Sequence, residues 1–348
     1  MNPGRVDDFN HERTESMKTR KSIDSHVVYV GFLLGLLLLV AVSPAHAAPV
    51  AASNDVKQQL FSAPDDAAKA LTAAAKAKDH AALAAIFGPD YQTLLSGDAV
   101  QDNRELEQFD AALDKSAKVE KVSDEKFTLT VGADNWPFPI PIVKQGDQWR
   151  FDTRSGMEEI LNRRIGENEL SAIATCRAYV LAQWEYFTEG DHDNDGVAEY
   201  AQHFISTPGQ RDGLYWDTAE GEKPSPMGAL VAEARTEGYS AGQGTRRPPV
   251  TNKTVTPRHP YHGYYFRMLK SQGPHAPGGK YNYVINGNMI AGYALIAYPD
   301  KWGSSGVMTF IVNQQGRVYE KNLGPDTLKI GGAITEYNPD PGWKLVKE

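Results

Sequence analysis

The sequence predicts an α+β protein built as two domains. Three observations carry that expectation. Residues 54–155 open on helical periodicity and then switch to alternation; residues 167–348 repeat the order, a long helix before strands; and a short charged connector, 156–166, lies between them. The roughly 300 residues beyond an N-terminal leader are the length that two ordinary domains need.

The first domain opens with SAPDDAAKALTAAAKAKDHAALAAIFG. Ser62 followed by Pro64, Asp65 and Asp66 marks a helix start, and Ala68, Leu71 and Ala75 share one face. Leu83, Ile86 and Phe87 begin a second short helix, and Asn103 to Ala117 reads as a third. The period then becomes two: Phe127, Leu129 and Val131 alternate, as do Phe138, Ile140 and Ile142, and then Trp149 and Phe151. Gln145-Gly146-Asp147 supplies a hairpin turn. Pro137, Pro139 and Pro141 alternate along one run, and because proline donates no ladder bond that run is expected at a sheet edge.

In the second domain Glu167 to Thr188 reads as a long helix. Leu170, Ile173, Ala174, Arg177, Val180, Leu181 and Trp184 follow the i, i+3, i+4, i+7 pattern of a helix face. An acidic loop follows, then turns at Thr207-Pro208-Gly209 and Arg211-Asp212-Gly213, and a short helix near Met227 to Glu237. Residues 238–260 are rich in Pro, Thr and Asn and are expected to be an exposed, mobile loop. Strand-like runs come last: Tyr264 to Leu269, Met289 to Tyr298, Val307 to Asn313, and Val318 to Lys321 beyond a turn at Gln314-Gln315-Gly316.

The leader, 1–47, bears on location. Lys18, Arg20 and Lys21 precede an uncharged apolar run from Val27 to Val42, and Ala45-His46-Ala47 is a small-x-small site. This is the pattern of a secretory signal peptide with cleavage after Ala47, which places the mature protein in the periplasm. The run is shorter than a membrane span and long for a signal core, so an inner-membrane anchor is the alternative. The leader carries five basic and five acidic residues, and its removal leaves the net charge at −8, which argues against a nucleic-acid partner. The one cysteine, Cys176, cannot form an internal disulfide and sits in an apolar helix, where a buried core thiol is expected.

Several of these segments resemble known families. The helix Asn168–Tyr186, the DxDxDG loop Asp191–Tyr200, and the strands Gly263–Phe266, Ala294–Pro299 and Thr309–Glu320 stand in the order of pilin and pseudopilin headpieces, and residues 167–327 resemble that fold. Leu36 stands where a filament subunit carries Glu, and a whole domain separates the apolar run from the headpiece. The resemblance therefore implies a pilin-like fold without implying a filament subunit. The first domain, helices and then a meander ending in Trp149-Arg150-Phe151, resembles the nuclear-transport-factor-2-like (NTF2-like) and cystatin-like folds. Taken together, DNWPFPIPIVKQGDQWRFDT, EEILNRRIGENEL, STPGQRDGLYW, YHGYYFRML, QGPHAPGG and VMTFIVNQQGRVYEKNLGPDT resemble the bacterial family called domain of unknown function 2950. That resemblance implies export and supplies no activity.

The candidate sites are few. Asp191, Asp193, Asp195 and Gly196 match the first half of a calcium loop, with Glu199 available at its ninth position. The twelfth position is Gln202, not the bidentate Glu, so the stretch reads either as a weak calcium site or as a solvated turn whose side chains bond their own backbone. Six carboxylates, Glu185, Glu189, Asp191, Asp193, Asp195 and Glu199, crowd a helix C-terminus with no Lys or Arg between Arg177 and Arg211. The macrodipole opposes them there, so a cation, a basic neighbour or solvation must offset the charge. From Gly238 to Pro299 the balance inverts: Arg246, Arg247, Lys253, Arg258, Arg267, Lys270 and Lys280 occur with no Asp or Glu. That stretch is expected either to fold against the acidic loop or to meet an anionic glycan, lipid or protein surface.

His259, His262 and His275 raise zinc, but Pro260 argues against a helix presenting the first two, and there is neither HExxH nor a cysteine pair. No GxSxG elbow and no phosphate-loop Lys-Ser/Thr pair occurs. Asp134 and Asp152 are candidate pocket acids or turn residues. The expectation is a non-enzymatic exported protein that acts by binding or envelope assembly, with no catalytic residues. Its rival is an envelope hydrolase or isomerase with a pocket in the first domain.

Overall fold

The computed structural model describes residues 57–192, 195–240 and 260–347. The leader with its cleavage site, Asp193, His259 and the basic residues Arg246, Arg247, Lys253 and Arg258 lie outside them.

The chain is α+β. Helix α1 (Pro64–Lys76) carries Pro at its start and Asp65 and Asp66 in its first turn, where the helix dipole favours them, and it buries Ala67, Leu71, Ala74 and Ala75. Asp79 caps α2 (His80–Phe87) by accepting the N–H groups of Ala81 and Ala82. After the one-turn α3 (Tyr91–Leu94), Asp98 caps α4 (Ala99–Lys115) in the same way. Strands β1 (Ala117–Ser123), β2 (Lys126–Val131), β3 (Trp136–Pro137), β4 (Ile142–Gln145) and β5 (Gln148–Phe151) form an antiparallel sheet in the order β1-β2-β4-β5, with β3 beside β2.

The third helix thus begins at Ala99, not Asn103, because Asp98 supplies the cap. The proline run gives only a two-residue strand ending at Pro137, and residues 138–141 leave the ladder. Inside, Leu71, Phe87, Leu129, Ile140 and Phe151 pack together, with the Phe87 and Phe151 ring centroids 5.5 Å apart.

Helix α5 (Thr153–Glu189) runs unbroken for 37 residues. The stretch 156–166 is therefore helical. Its Met157 and Ile160 pack on the first hydrophobic cluster, and Arg163 pairs with Glu159 one turn away. Gly156 permits the close approach: a Cβ there would lie 2.6 Å from the Pro139 carbonyl oxygen.

Two short strands, β6 (His203–Ile205) and β7 (Gly213–Tyr215), pair in parallel, and α6 (Gly228–Thr236) follows. Next come β8 (Tyr264–Leu269), the ribbons β9 (Ser271–Gln272) with β10 (Tyr281–Asn282) and β11 (Val284–Ile285) with β12 (Asn288–Met289), then β13 (Ala294–Pro299), β14 (Met308–Asn313) and β15 (Tyr319–Asn322). Helix α7 (Thr327–Ala333) and β16 (Lys344–Leu345) close the chain. The second sheet is antiparallel, ordered β16-β15-β14-β13-β8, and α5 lies on its β13 and β14 strands.

The face that α5 gives to this sheet is Asn168, Ala172, Cys176, Tyr179, Gln183 and Tyr186. Leu170, Leu181 and Trp184, the strongest apolar members of the stripe read from the sequence, are 69%, 61% and 46% exposed. The inward face is instead small and polar, with its polar atoms engaged by the sheet side: Tyr179 donates to the Ala294 carbonyl at 3.3 Å and Gln183 to that of Ala201 at 2.8 Å. Among the described residues no helix is long and apolar enough to cross a membrane.

Candidate functional site

Among the described residues, a set of buried and partly buried ionisable groups gathers where α4, the end of α6 and the start of β8 meet. It consists of Asp98, Arg104, Glu237, Tyr239, Tyr261 and His262. Asp98 is placed by its own cap: one carboxylate oxygen accepts the N–H groups of Val100 and Gln101 at 3.0 and 3.3 Å, and the other accepts the Tyr239 hydroxyl at 3.0 Å. Arg104, two turns along the same helix, donates to Glu237 at 2.8 Å.

His262 is placed by a tight turn. Tyr261 and Tyr264 exchange backbone hydrogen bonds at 2.9 and 3.0 Å, and His262 and Gly263 between them have φ of 46° and 70°. Two successive left-handed residues are what a two-residue hairpin turn of this hand requires. Glycine is needed at the second, because a Cβ on Gly263 would stand 2.7 Å from both Asn168 Nδ2 and Ser305 Cβ. Asn168, from α5, accepts from Gln101 at 2.9 Å and donates to the Ser305 carbonyl at 2.9 Å, which ties the turn to both helices.

The imidazole orientation follows from its neighbours. Arginine only donates, so His262 Nδ1, 3.4 Å from Arg104 Nη2, is the acceptor. The ring proton therefore sits on Nε2, which donates to Glu237 at 2.9 Å. Burial, and after it the Arg104 guanidinium, pulls the His262 pKa down to about 4 against the opposing pull of Asp98, so the ring is neutral at pH 7. Burial raises the carboxyls of Asp98 and Glu237 above their ordinary values. It also raises the Tyr239 hydroxyl, helped by Asp98, and the Tyr261 hydroxyl, helped by Glu237. The rings of Tyr261 and His262 meet edge to face at 4.4 Å. Both ring nitrogens and the carboxylates of Asp98 and Glu237 are engaged by other protein groups. As arranged, this is a largely buried polar joint between the first helices and the second sheet.

The acidic loop has a different character. Lys223 reaches both Glu185, at 3.0 Å, and Glu189, and so supplies the basic neighbour that the helix end needed. Asp191 accepts the N–H groups of Asp195 and Gly196 at 3.3 and 2.7 Å. Asp195 accepts from Val197 at 2.8 Å and from Asn288 at 2.6 Å, and Glu199 accepts the Met289 N–H at 2.8 Å. The carboxylates at the fifth and ninth positions thus turn toward the β11–β12 hairpin. Among the described residues no group of three or more His, Cys, Asp and Glu side chains is placed to hold a metal, and Asp193 lies outside them.

The zinc trio is not assembled in the described residues: His262 belongs to the buried joint, while His275 bonds Asn338. Asp134 is exposed in a turn, and Asp152 accepts the Ser155 hydroxyl at 2.6 Å at the start of α5. Of the described basic residues in the acid-free stretch, Lys280 pairs with Glu336, Arg267 donates to the Gly331 and Ile334 carbonyls, and Lys270 donates to Gln202 beside the acidic loop. Sequence reasoning singled out His262 alone from the joint. Asp98, Arg104, Glu237 and Tyr239 carry no spacing signal, since they stand up to 164 positions from it; the one local hint is the Ser96-Gly97-Asp98 helix start.

Residues 58–346 match the family described as Protein of unknown function (DUF2950). No curated protein and no solved structure was found to match the chain.

Proposed function

The chain belongs to that family, and from this premise we propose that it is an exported, periplasmic protein that works by binding or envelope assembly and not by catalysis. The observation that carries the reading is the outer face of α5, where Leu170, Leu181 and Trp184 are exposed along one line of a helix whose opposite face is fully committed to the sheet. An apolar line of that kind on a folded protein's surface marks a contact surface. The rival hydrolase or isomerase needs converging acid and base side chains inside the first helices and sheet, and Phe87, Phe138, Phe151, Leu129 and Ile140 fill that interior. The likeness of residues 167–327 to pilin headpieces is part of the assembly reading. So is contact between the basic residues Arg246 to Arg258 and an anionic envelope surface.

A photo-crosslinking residue at position 181, expressed in cells, tests the reading. It should yield a discrete covalent adduct that the same residue at exposed Lys144 does not. Equal labelling from both positions, or none, removes it. Intact mass of the exported protein tests location: a product that still contains Val27–Val42 means an anchor instead.

A further inference from the structure

We propose that the outer face of α5 docks on the same face of a second copy of the chain, the two helices running antiparallel. This rests on the binding reading and names its partner. The exposed line is Leu170, Ala174, Arg177, Leu181, Trp184 and Thr188. Its spacing alternates four and three, the repeat of a seam that packs knobs into holes against another helix. It is flanked by Ile173, Val180 and Phe187, each only partly buried.

The side chains on that line choose the orientation. In a parallel pair Arg177 would face Arg177 and Trp184 would face Trp184, placing like charges together and two large rings in one layer. In an antiparallel pair about a two-fold axis at the level of Tyr179, Trp184 of one copy lies over Ala174 of the other, large against small, at both ends. Arg177 lies beside Leu181 of the second copy and one turn from its Glu185, about 6 Å along the axis. Among the described residues Arg177 has no ion pair, while Glu185 is half-exposed and shared only with Lys223. The unpaired cation inside an apolar line therefore finds its counter-charge in the second copy, which sets register as well as orientation. The contact from Leu170 to Thr188 is about 27 Å long.

The full exported chain tests this by sedimentation and crosslinking. Wild type should sediment as a dimer. Leu181→Glu should weaken the dimer at least about tenfold with unchanged circular dichroism, since Leu181 makes little contact within its own copy. Arg177→Glu should weaken it too, and Arg177→Glu with Glu185→Arg should restore it. Because the native Cys176 is buried, an introduced cysteine reports alone. Ala178→Cys, near the axis, should link copy to copy with a short bismaleimide, and Thr188→Cys should not, its two positions lying about 27 Å apart. A monomeric wild type, a dimer indifferent to Leu181→Glu, or equal linking by the two cysteines overturns the proposal. A monomer whose position 181 still captures another protein overturns only the choice of partner, whereas a monomer that captures nothing removes the binding reading with it.

Discussion

Acidification should loosen the buried joint through His262, and the size of the effect can be worked from the site. The ring accepts from Arg104 at Nδ1, so adding a proton there sets an N–H against a guanidinium in a place already removed from water. The folded-state pKa of about 4 lies below the ordinary 6.5 of the unfolded chain. Between those values the unfolded state takes up a proton that the folded state refuses. The stabilisation is whole above pH 6.5 and is lost as pH falls toward 4. At 1.36 kcal/mol per pH unit the loss is roughly 3 kcal/mol. Asp98 and Glu237 act in the opposite direction, because their raised carboxyls bind protons more readily folded than unfolded and gain stability as pH falls. The net wild-type curve is therefore shallower than the His262 share of it.

His262→Gln isolates that share. Glutamine can donate to Glu237 and accept from Arg104, and it carries no titrating group. Urea midpoints and melting temperatures of both proteins at pH 7, 6, 5 and 4 are the assay. Wild type should lose roughly 3 kcal/mol relative to the variant across that range, on the order of 5–10 °C in melting temperature. The imidazole resonance should titrate near pH 4 in the same experiments. Parallel stability curves, or a resonance that titrates between pH 6 and 7, refute the reasoning.

Two glycines of α5 should respond oppositely to alanine. At Gly156 a Cβ would meet the Pro139 carbonyl oxygen and the Ile140 Cα at 2.6 and 2.7 Å, so Gly156→Ala should destabilise by about 2 kcal/mol, while Gly166, with nothing within 4 Å, should gain up to about 1 kcal/mol from helix propensity; denaturant midpoints measure both. Cys176 is fully buried with its thiol pushed up to about 12 by burial, so a disulfide reagent should label it only at the rate of unfolding, and fast labelling of the native protein contradicts that. We read the acidic loop as a clasp on the β11–β12 hairpin, so millimolar calcium should leave the melting temperature unchanged; a rise that Asp193→Ala abolishes would establish the calcium site instead.

Fold class was legible because its signals are local. β8 falls on Tyr264–Leu269 as the sequence predicts, since apolar or aromatic residues fill every position of that run but Arg267, and it follows a turn at His262-Gly263. α1 follows its Pro-Asp-Asp start. The helical state of 156–166 was masked by its charges, which hide the period: Met157 and Ile160 face the first cluster while Glu159 and Arg163 pair on the outside. β1 was hidden for the converse reason, since it is almost wholly exposed and carries no alternation to read. The buried joint was illegible for a third reason. Its members come from α4, α6 and a turn, and nothing in a linear pattern says that Tyr239 will donate to Asp98.

The misassigned face of α5 has the widest consequence. Hydrophobicity ranks Leu170, Leu181 and Trp184 above Asn168, Thr175 and Gln183, yet the sheet takes the second set. Gln183 and Asn168 bring the groups that the Ala201 backbone and the Ser305 carbonyl beside Gly263 require, whereas leucines there would leave those carbonyls without partners. The helix thus meets its own sheet through polar and small residues and keeps Leu170, Leu181 and about half of Trp184 exposed. Single exposed leucines are ordinary on a folded surface, but here three large apolar side chains lie along one helix line, and on that line the proposed binding is argued.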